Sequence, residues 1–566
     1  MPKNMGNKRQ GIANIPYICH QHGMQNIIIC PGSRNAPLIL SFIDYNKINI
    51  YSIVDERSAC YVALGMSLHS NKPTGIICTS GTAVLNLAPA IAEAYYQHKP
   101  LIVFTADRPA ELIDQGDGQS IRQRNVFQNF IKHSFEIPVE TDNEIDVWHC
   151  NRIISQAIDT AITFPIGPVH VNIPLREPLY DKNSYNYDTN TKTINTINVW
   201  PKLTEESEKY VIEKWNRSSK KIIVVGSHEK NENLNYLLNT LIDNHPDTLI
   251  FAENISNFYN KKFIYSPERF FSTLNESERQ NLCPDLLITI GNAVVSKRLK
   301  QYLRTYSNIE HWIVDRNNPY MDTFQSLRLN IPVDPIHFFN LILKECQSNR
   351  VSQYQKEFTE KDKNIFQKHN EFFENIDFSD FFAIKTILEK LPSGSLLHLS
   401  NSTPVRHSQL FPTREDIEYY SNRGVSGIDG CVSTAAGSSI MVNEQVFLIA
   451  GDLAFLYDSN GLWNKYIKDN FKIIVINNNG GNIFRLIDSS SLNKKYLQYF
   501  ETPYSASIGK VSEAFGFDYF FANNKSSLEI IIDKLINNKN KSVLEIKTDP
   551  IINEKIFKEY YKFLKS

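Results

Sequence analysis

The feature that most constrains this chain is a pair of uncharged apolar runs, each ending abruptly in small and oxygen-bearing residues. Val446 to Ala450 stops at Gly451, Asp452 and Leu453, and Ile473 to Ile476 stops at Asn477, Asn478, Asn479, Gly480 and Gly481. Runs rich in Val and Ile and free of charge suit parallel strands buried on both faces, and parallel sheets take their ligands in the crevice at the strands' carboxyl ends. Asp452 and Asn478 lie 26 positions apart, enough for a strand end, a crossover helix and the next strand. An acid and an amide would then meet at one edge. Hard oxygen donors with open positions suit Mg²⁺ carrying a phosphate, whereas two polar turn residues at strand ends are the plain alternative. The pair alone does not separate the two.

The same pattern recurs along the chain. Ile27–Cys30 stops at Pro31–Arg34, Ile50–Val54 at Asp55–Arg57, Ile76–Cys78 at Thr79–Thr82, Leu101–Phe104 at Thr105–Pro109 and Val169–Ile173 at Pro174. A polar segment near 181–205 reads as a linker. A second set follows in Lys221–Gly226, Thr248–Phe251, Asp285–Gly291 and Trp312–Asp315. After the charged stretch 347–378, read as a solvated helix and connector, come Ser395–Leu399, Ile417–Tyr420, the two opening runs and Ser542–Lys547. Strands alternating with helical stretches predict an α/β protein of three doubly wound, mostly parallel-sheet domains, over 1–185, 200–345 and 375–566. At 566 residues the chain is too long for one core. The first and third sets look alike in pattern without obvious identity, as an old duplication or one fold used twice would.

Composition excludes several partners. Sixty basic against 61 acidic residues leave a net charge of -1, so no global field points to nucleic acid or to an anionic membrane. No run approaches 18 apolar residues and the first thirty lack a continuous apolar core, which predicts a soluble cytoplasmic protein. The eight cysteines show neither C-x-x-C pairs nor zinc-ligand spacing and read as buried thiols in a reducing compartment. Gly226 is followed by Ser227, His228 and Glu229 rather than by a G-x-G-x-x-G run, which argues against NAD or FAD.

Three constellations carry chemistry. Glycines 424, 427 and 430 follow a predicted strand and precede a helical stretch, so their backbone N–H groups could cradle an anion; most such loops are merely turns. Asp55-Glu56-Arg57 places a carboxylate at a strand end among apolar residues, as general acid–base work requires, with a surface ion pair to Arg57 as the alternative. Arg34, Arg108, Arg406 and Arg423 sit at predicted strand ends, joined by Lys297 and Arg298 from the second set. The run Ser296-Lys297-Arg298 is either a solvated helix face or an anion contact. Arginine forks bind carboxylates bidentately, so the set suits substrates with several carboxylates.

In these residues the chain resembles the thiamine-diphosphate-dependent enzymes, whose signature is Gly-Asp, a spacer of this length and a terminal Asn pair. The segments Cys30–Leu38, Asp55–Arg57, Thr79–Ala83, Thr105–Leu112, Ser421–Gly430 and Asn477–Gly481 resemble, within that family, the branch that joins 2-oxoglutarate to isochorismate in menaquinone biosynthesis. The resemblance implies a pyrimidine-binding domain first, a central domain, and a diphosphate-binding domain last. It implies thiamine diphosphate with Mg²⁺ or Mn²⁺, held between the first domain of one subunit and the last of another, and hence a homo-oligomer, a dimer or a dimer of dimers. It makes Asp452, Asn478 and the Gly480 carbonyl the metal ligands, with Asn479 as a second candidate, and Glu56 the acid that protonates the aminopyrimidine. Gly427, Ile428, Gly451, Leu453, Tyr457 and Ile483 would contact the cofactor, Ile428 as the apolar wedge that bends it. Ser33, Arg34, Arg108, Gln119, Lys297, Arg298, Ser402, Arg406, Arg423 and Phe484 would meet the acidic substrates or their adduct. One departure is Gly118, where relatives often carry Asn. The 14 histidines include no adjacent pair, unlike many simple 2-oxoacid decarboxylases, which favours carbon–carbon bond formation.

Overall fold

A computed structural model describes residues 9–70, 72–180, 185–197, 199–306, 308–346, 348, 351–486 and 494–566. The predicted linker therefore falls partly outside the described residues, at 181–184 and 198. Among the described residues three sheets form, and every pairing in them is parallel. The first contains β1 (Asn26–Ile29), β2 (Asn49–Ser52), β3 (Thr74–Cys78), β4 (Leu101–Asp107), β5 (Ser134–Glu136) and β6 (Val169–Pro174), in the order β2-β1-β3-β4-β6-β5. The central sheet contains β7 (Lys221–Val225), β8 (Thr248–Ala252), β9 (Leu286–Ile290), β10 (Glu310–Val314) and β11 (Leu327–Ile331), ordered β11-β10-β9-β7-β8. The third contains β12 (Leu396–Leu399), β13 (Glu418–Tyr420), β14 (Val446–Gly451), β15 (Phe471–Asn477), β16 (Asp518–Ala522) and β17 (Ser542–Lys547), ordered β13-β12-β14-β15-β17-β16. First and third sheets thus share one strand order, which the likeness of their sequence patterns anticipates.

The apolar runs form the strands for the expected reason: β3, β4, β7, β8, β9 and β15 are buried along their whole length. Sequence reasoning missed β5, β11 and β16. Each lies at a sheet edge, where one flank has no neighbour and an apolar run is not required.

Two compact units result. The first comprises the first sheet with Asn422–Asn443 and Tyr457–Lys468. Within it, helix Glu56–Ser67 crosses helix Cys431–Met441 so closely that a Cβ on Gly65 would lie 2.0 Å from the Thr434 carbonyl, and one on Gly437 2.2 Å from that of Val62. The predicted linker is not free chain there, since Tyr185 is buried and Tyr187 stacks on Tyr17.

The second unit holds the central and third sheets. Helix Tyr354–Glu374, expected to be solvated, instead buries Tyr354, Phe358, Ile365 and Phe373 in a core shared by strands of both sheets. Most of its charges occupy the other face, Asp362 excepted, which meets the buried Arg269 at 3.4 Å, so charge density hides the apolar stripe from a reading of composition. Among the described residues no helix is long and apolar enough to cross a membrane.

Candidate functional site

In the third sheet the chain leaves β12 toward β13 on one side and toward β14 on the other, so the order reverses between β12 and β14. At such a switch point a crevice opens outside the strands' carboxyl ends. Gly451 closes β14 there, donating its N–H to Ser400 Oγ at 3.3 Å, and a Cβ on Gly451 would meet no atom within 4 Å. Asp452 follows, 2% exposed. Its Oδ1 accepts the Leu453 N–H at 2.8 Å, and its Oδ2 accepts the Gly480 N–H at 2.8 Å and the Tyr504 hydroxyl at 3.1 Å. Burial pushes this carboxyl up to about 6, against those hydrogen bonds, which favour the anion. The acid and the end of β15 are therefore stitched together, as the spacing predicted.

Asn478 donates Nδ2 to Asp380 Oδ2 at 2.9 Å, which leaves its own Oδ1 buried and without a partner. An orphaned buried acceptor costs about 1–3 kcal/mol unless a ligand fills it. Asn479, by contrast, is exposed in the left-handed region at φ 66°, its N–H bound to Asn477 Oδ1 at 3.0 Å. Gly480 has φ 133°, and a Cβ there would fall 2.1 Å from the Glu501 carbonyl, so this turn admits only glycine. Among the described residues no three His, Cys, Asp or Glu side chains gather as a metal cage. A cation here would rely on one carboxylate, one amide oxygen and a backbone carbonyl, a hard donor set that fits Mg²⁺ or Mn²⁺.

Asp380 was not anticipated. It opens helix Asp380–Lys390, is buried, and accepts from Thr548 Oγ1 at 2.7 Å and Asn553 Nδ2 at 2.9 Å besides Asn478. Burial raises its pKa while these donors lower it. Nothing local marks the residue, because its partners lie far along the chain.

In the first unit the equivalent switch falls between β1 and β3. Their ends run into Pro31–Arg34 and Thr79–Thr82, and a Cβ on Gly32 would lie 2.4 Å from Thr79. Arg108, just past β4, donates to Ser80 Oγ at 2.9 Å and to the Gln119 carbonyl at 2.6 Å. Arg34 donates to the Leu175 carbonyl at 3.0 Å and pairs with Glu177 at 3.1 Å; burial, then the charge of Arg108, lowers its pKa. Arg34, Arg108 and Gln119 are thus brought together, with Ser33 exposed on the same loop as Arg34. Glu56 opens helix Glu56–Ser67, behind Asp55, whose carboxylate caps the Ser58 N–H at 3.0 Å. It is half-buried, and Asn86 Nδ2 donates to its Oε2 at 3.3 Å. Arg57 turns to Tyr457 rather than to Glu56, donating to its carbonyl at 2.8 Å and lying 4.9 Å over its ring.

The glycine loop needs a correction. Its amides do bind an anion, but that anion is the chain's own Glu93, whose carboxylate accepts the N–H groups of Gly424, Val425 and Ser426. These amides are therefore no phosphate cradle. Gly427 and Ile428, just beyond, stay partly exposed, as does Arg423.

The remaining candidates lie in the second unit. Arg298 pairs with Glu268 at 3.0 Å and lies over the Tyr561 ring at 4.9 Å, while Lys297 is exposed. Arg406 donates to the Ser402 carbonyl at 2.7 Å, and Ser402 itself holds φ 77°. Ile483 and Phe484 open the short helix Ile483–Leu486, with Phe484 packed on Phe500 at 5.4 Å. Ser33, Arg34, Glu56, Arg108, Gln119, Arg423, Gly427, Ile428 and Tyr457 thus belong to the first unit and the rest to the second.

Residues 10–134 match the family model described as thiamine pyrophosphate enzyme, N-terminal TPP binding domain, and residues 402–546 the C-terminal TPP binding domain. The fold is also that of the benzoylformate decarboxylase of Polynucleobacter necessarius, with a TM-score of 0.71 over 96% of this chain and 99% of that one, at 15% identity. Fold and site define a thiamine-diphosphate-dependent enzyme, which works with a divalent metal. The 2-succinyl-5-enolpyruvyl-6-hydroxy-3-cyclohexene-1-carboxylate synthase of Flavobacterium johnsoniae is 38% identical over 96% of this chain and 97% of its own. That of Desulfotalea psychrophila is 39% identical over 90% and 93%. The chain belongs to this family of 2-succinyl-5-enolpyruvyl-6-hydroxy-3-cyclohexene-1-carboxylate synthases, which are transferases.

Proposed function

We infer that the enzyme decarboxylates 2-oxoglutarate and adds the remaining four-carbon unit to isochorismate in a 1,4-addition. The products are 2-succinyl-5-enolpyruvyl-6-hydroxy-3-cyclohexene-1-carboxylate and carbon dioxide, a step of menaquinone biosynthesis. The observation that supports the site is the partnerless Asn478 Oδ1, aligned by Asp380 at the same strand ends as Asp452. Asp452, Asn478 and the Gly480 carbonyl hold Mg²⁺ or Mn²⁺, and Gly451 leaves the space a diphosphate needs. When bound, thiamine diphosphate supplies the carbon nucleophile and the electron sink that decarboxylation demands.

The chain's own residues then supply geometry and protons. Glu56 holds a proton against the aminopyrimidine ring, and Gly427, Ile428, Leu453, Tyr457 and Ile483 fix the cofactor's shape. Arg34, Arg108, Lys297, Arg298, Arg406 and Arg423 are the contacts for the substrates' carboxylates, with Ser33, Gln119, Ser402 and Phe484 as further substrate contacts. The proposed assembly is a homo-oligomer, at least a dimer, in which Glu56 serves the aminopyrimidine of a cofactor whose metal end is held by a neighbouring subunit. The domains are the pyrimidine-binding 1–185, the central 200–345 and the diphosphate-binding 375–566.

Product mass is the direct test. With thiamine diphosphate, Mg²⁺, 2-oxoglutarate and isochorismate, the adduct of both substrates is expected, and carbon dioxide release should require the cofactor. An adduct formed with pyruvate but not with 2-oxoglutarate would overturn the reading in favour of an acetohydroxyacid-synthase-like enzyme.

A further inference from the structure

The loop that carries Gly427 and Ile428 is gripped by a carboxylate remote in sequence. Glu93 lies in helix Ala88–Tyr96 and is 1% exposed. Its Oε1 accepts the Gly424 N–H at 2.6 Å, and its Oε2 accepts those of Val425 at 2.7 Å and Ser426 at 3.3 Å. Gln97 Nε2 donates to the same Oε1 at 2.5 Å, steadying the carboxylate from behind. Three successive amides converging on one anion form a nest, and hydrogen bonds to an ionised acceptor are about twice as strong as neutral ones. The nest holds Ser426 at φ 71°, a left-handed conformation that a serine rarely adopts unaided.

The far end of the loop is fixed as well. A Cβ on Gly430 would fall 2.3 Å from ring carbons of Tyr61, so the ring lies against the bare glycine, and the Tyr61 hydroxyl donates to Asp429 Oδ2 at 3.1 Å. Gly427 and Ile428 are therefore suspended between two anchors, Glu93 before them and Tyr61 after them.

We propose that Glu93 is a positioning residue: its charged carboxylate sets the backbone of 424–426 and thereby presents Gly427 and Ile428 to the aminopyrimidine end of thiamine diphosphate. The proposal rests on the role given to those two residues above. Glu93 touches neither cofactor nor substrate; it acts through the loop. An amide in its place would turn an N–H₂ group toward at least one of the three N–H donors, so Glu93→Gln breaks the nest while keeping the side chain's size. Glu93→Asp keeps both oxygens but withdraws them by one methylene.

The test uses the full-length protein, with hydrogen exchange of amides 424–426 measured without cofactor and thiamine diphosphate affinity measured by calorimetry with Mg²⁺. In Glu93→Gln those amides should exchange at least about tenfold faster, and the Kd of the cofactor should rise about 10- to 100-fold, the range found when a residue supporting a binding group is lost. KM for 2-oxoglutarate at saturating cofactor should change less than the cofactor's Kd, since Arg423 alone among the proposed substrate contacts adjoins the nest. Glu93→Asp should fall between wild type and Glu93→Gln in both readouts. Should Glu93→Gln not fold, Glu93→Asp carries the test alone. Wild-type exchange at 424–426, or wild-type cofactor affinity, in whichever of these variants folds would overturn the proposal. A wild-type enzyme that releases no carbon dioxide from 2-oxoglutarate would instead overturn the assigned reaction, while exchange in the cofactor-free protein would still report on Glu93.

Discussion

Asp452 and Glu56 are each the acid that follows a strand in a sheet of the same topology, yet the two environments differ sharply. Asp452 leaves β14 in the middle of its sheet, is deeply buried, and accepts three hydrogen bonds of 2.8–3.1 Å. Glu56 follows β2 at the edge of its sheet, is half-buried, and receives a 3.3 Å hydrogen bond from Asn86. One sequence grammar, strand then polar stop then helix, thus produces a buried acid held by three hydrogen bonds at the centre and a half-buried acid at the rim. The distinction suits the roles assigned to them. A metal ligand gains from being held still, whereas a group that passes a proton must exchange it.

If that contrast is sound, the largest effect belongs to the fixed end. Asp452→Ala removes the charged donor from a buried site, a loss of about 3–5 kcal/mol, so the Kd of the metal–cofactor pair measured by calorimetry should rise about a thousandfold. Asp380→Asn should cost about 10- to 100-fold in Mg²⁺ affinity by the same measurement, as loss of a group that orients a ligand does. The reason is geometric: an amide at 380 can accept or donate, so Asn478 is no longer obliged to turn its Oδ1 toward the site. Arg108→Ala should leave the cofactor bound and raise KM for 2-oxoglutarate about tenfold or more in steady-state kinetics, the worth of a charge-assisted hydrogen bond.

A last prediction, read in stability rather than in ligand affinity, tests the boundary between holding and titrating. Asp458 is buried, accepting the Ser433 N–H at 2.6 Å and its hydroxyl at 2.7 Å, and burial pushes its pKa up to about 7 from 3.8. The folded chain therefore holds a proton that the unfolded chain has lost between those values, and the stability contributed falls as pH rises from 3.8 to about 7. Asp458→Asn keeps both contacts, because the serine hydroxyl can rotate to accept from the amide. Its Tm should exceed wild type at pH 8, with the advantage shrinking steadily toward pH 4. A constant difference in Tm across that range would show that Asp458 does not titrate as its burial requires.

The central strands were legible in the sequence because burial on both faces demands uninterrupted Val and Ile; the strand order was not read from it. The edge strands β5, β11 and β16 were not, since one open flank relaxes that demand. The proposed metal end was half legible. Gly451, Asp452 and Asn478 announce themselves at strand ends, but the spacing could not choose between Asn478 and Asn479; the left-handed turn at Asn479 favours the former. Asp380 and Glu93 were invisible for one shared reason. Each acts on a segment far away in the chain, and a lone acid at a helix start or on a helix face has no local signature. The partner of the Gly424 amide was not legible either, because sequence shows that an amide is available for an anion but not that Glu93 already fills it.

The assigned chemistry turns most directly on Glu56. The decisive measurement is carbon dioxide release from 2-oxoglutarate by Glu56→Gln, made alongside calorimetric titration with thiamine diphosphate and Mg²⁺. The account predicts that the cofactor still binds, since Asp452 and Asn478 hold its metal end, while turnover falls by about 10²- to 10⁴-fold, the usual worth of a general acid–base group. Carbon dioxide release at the wild-type rate would contradict it.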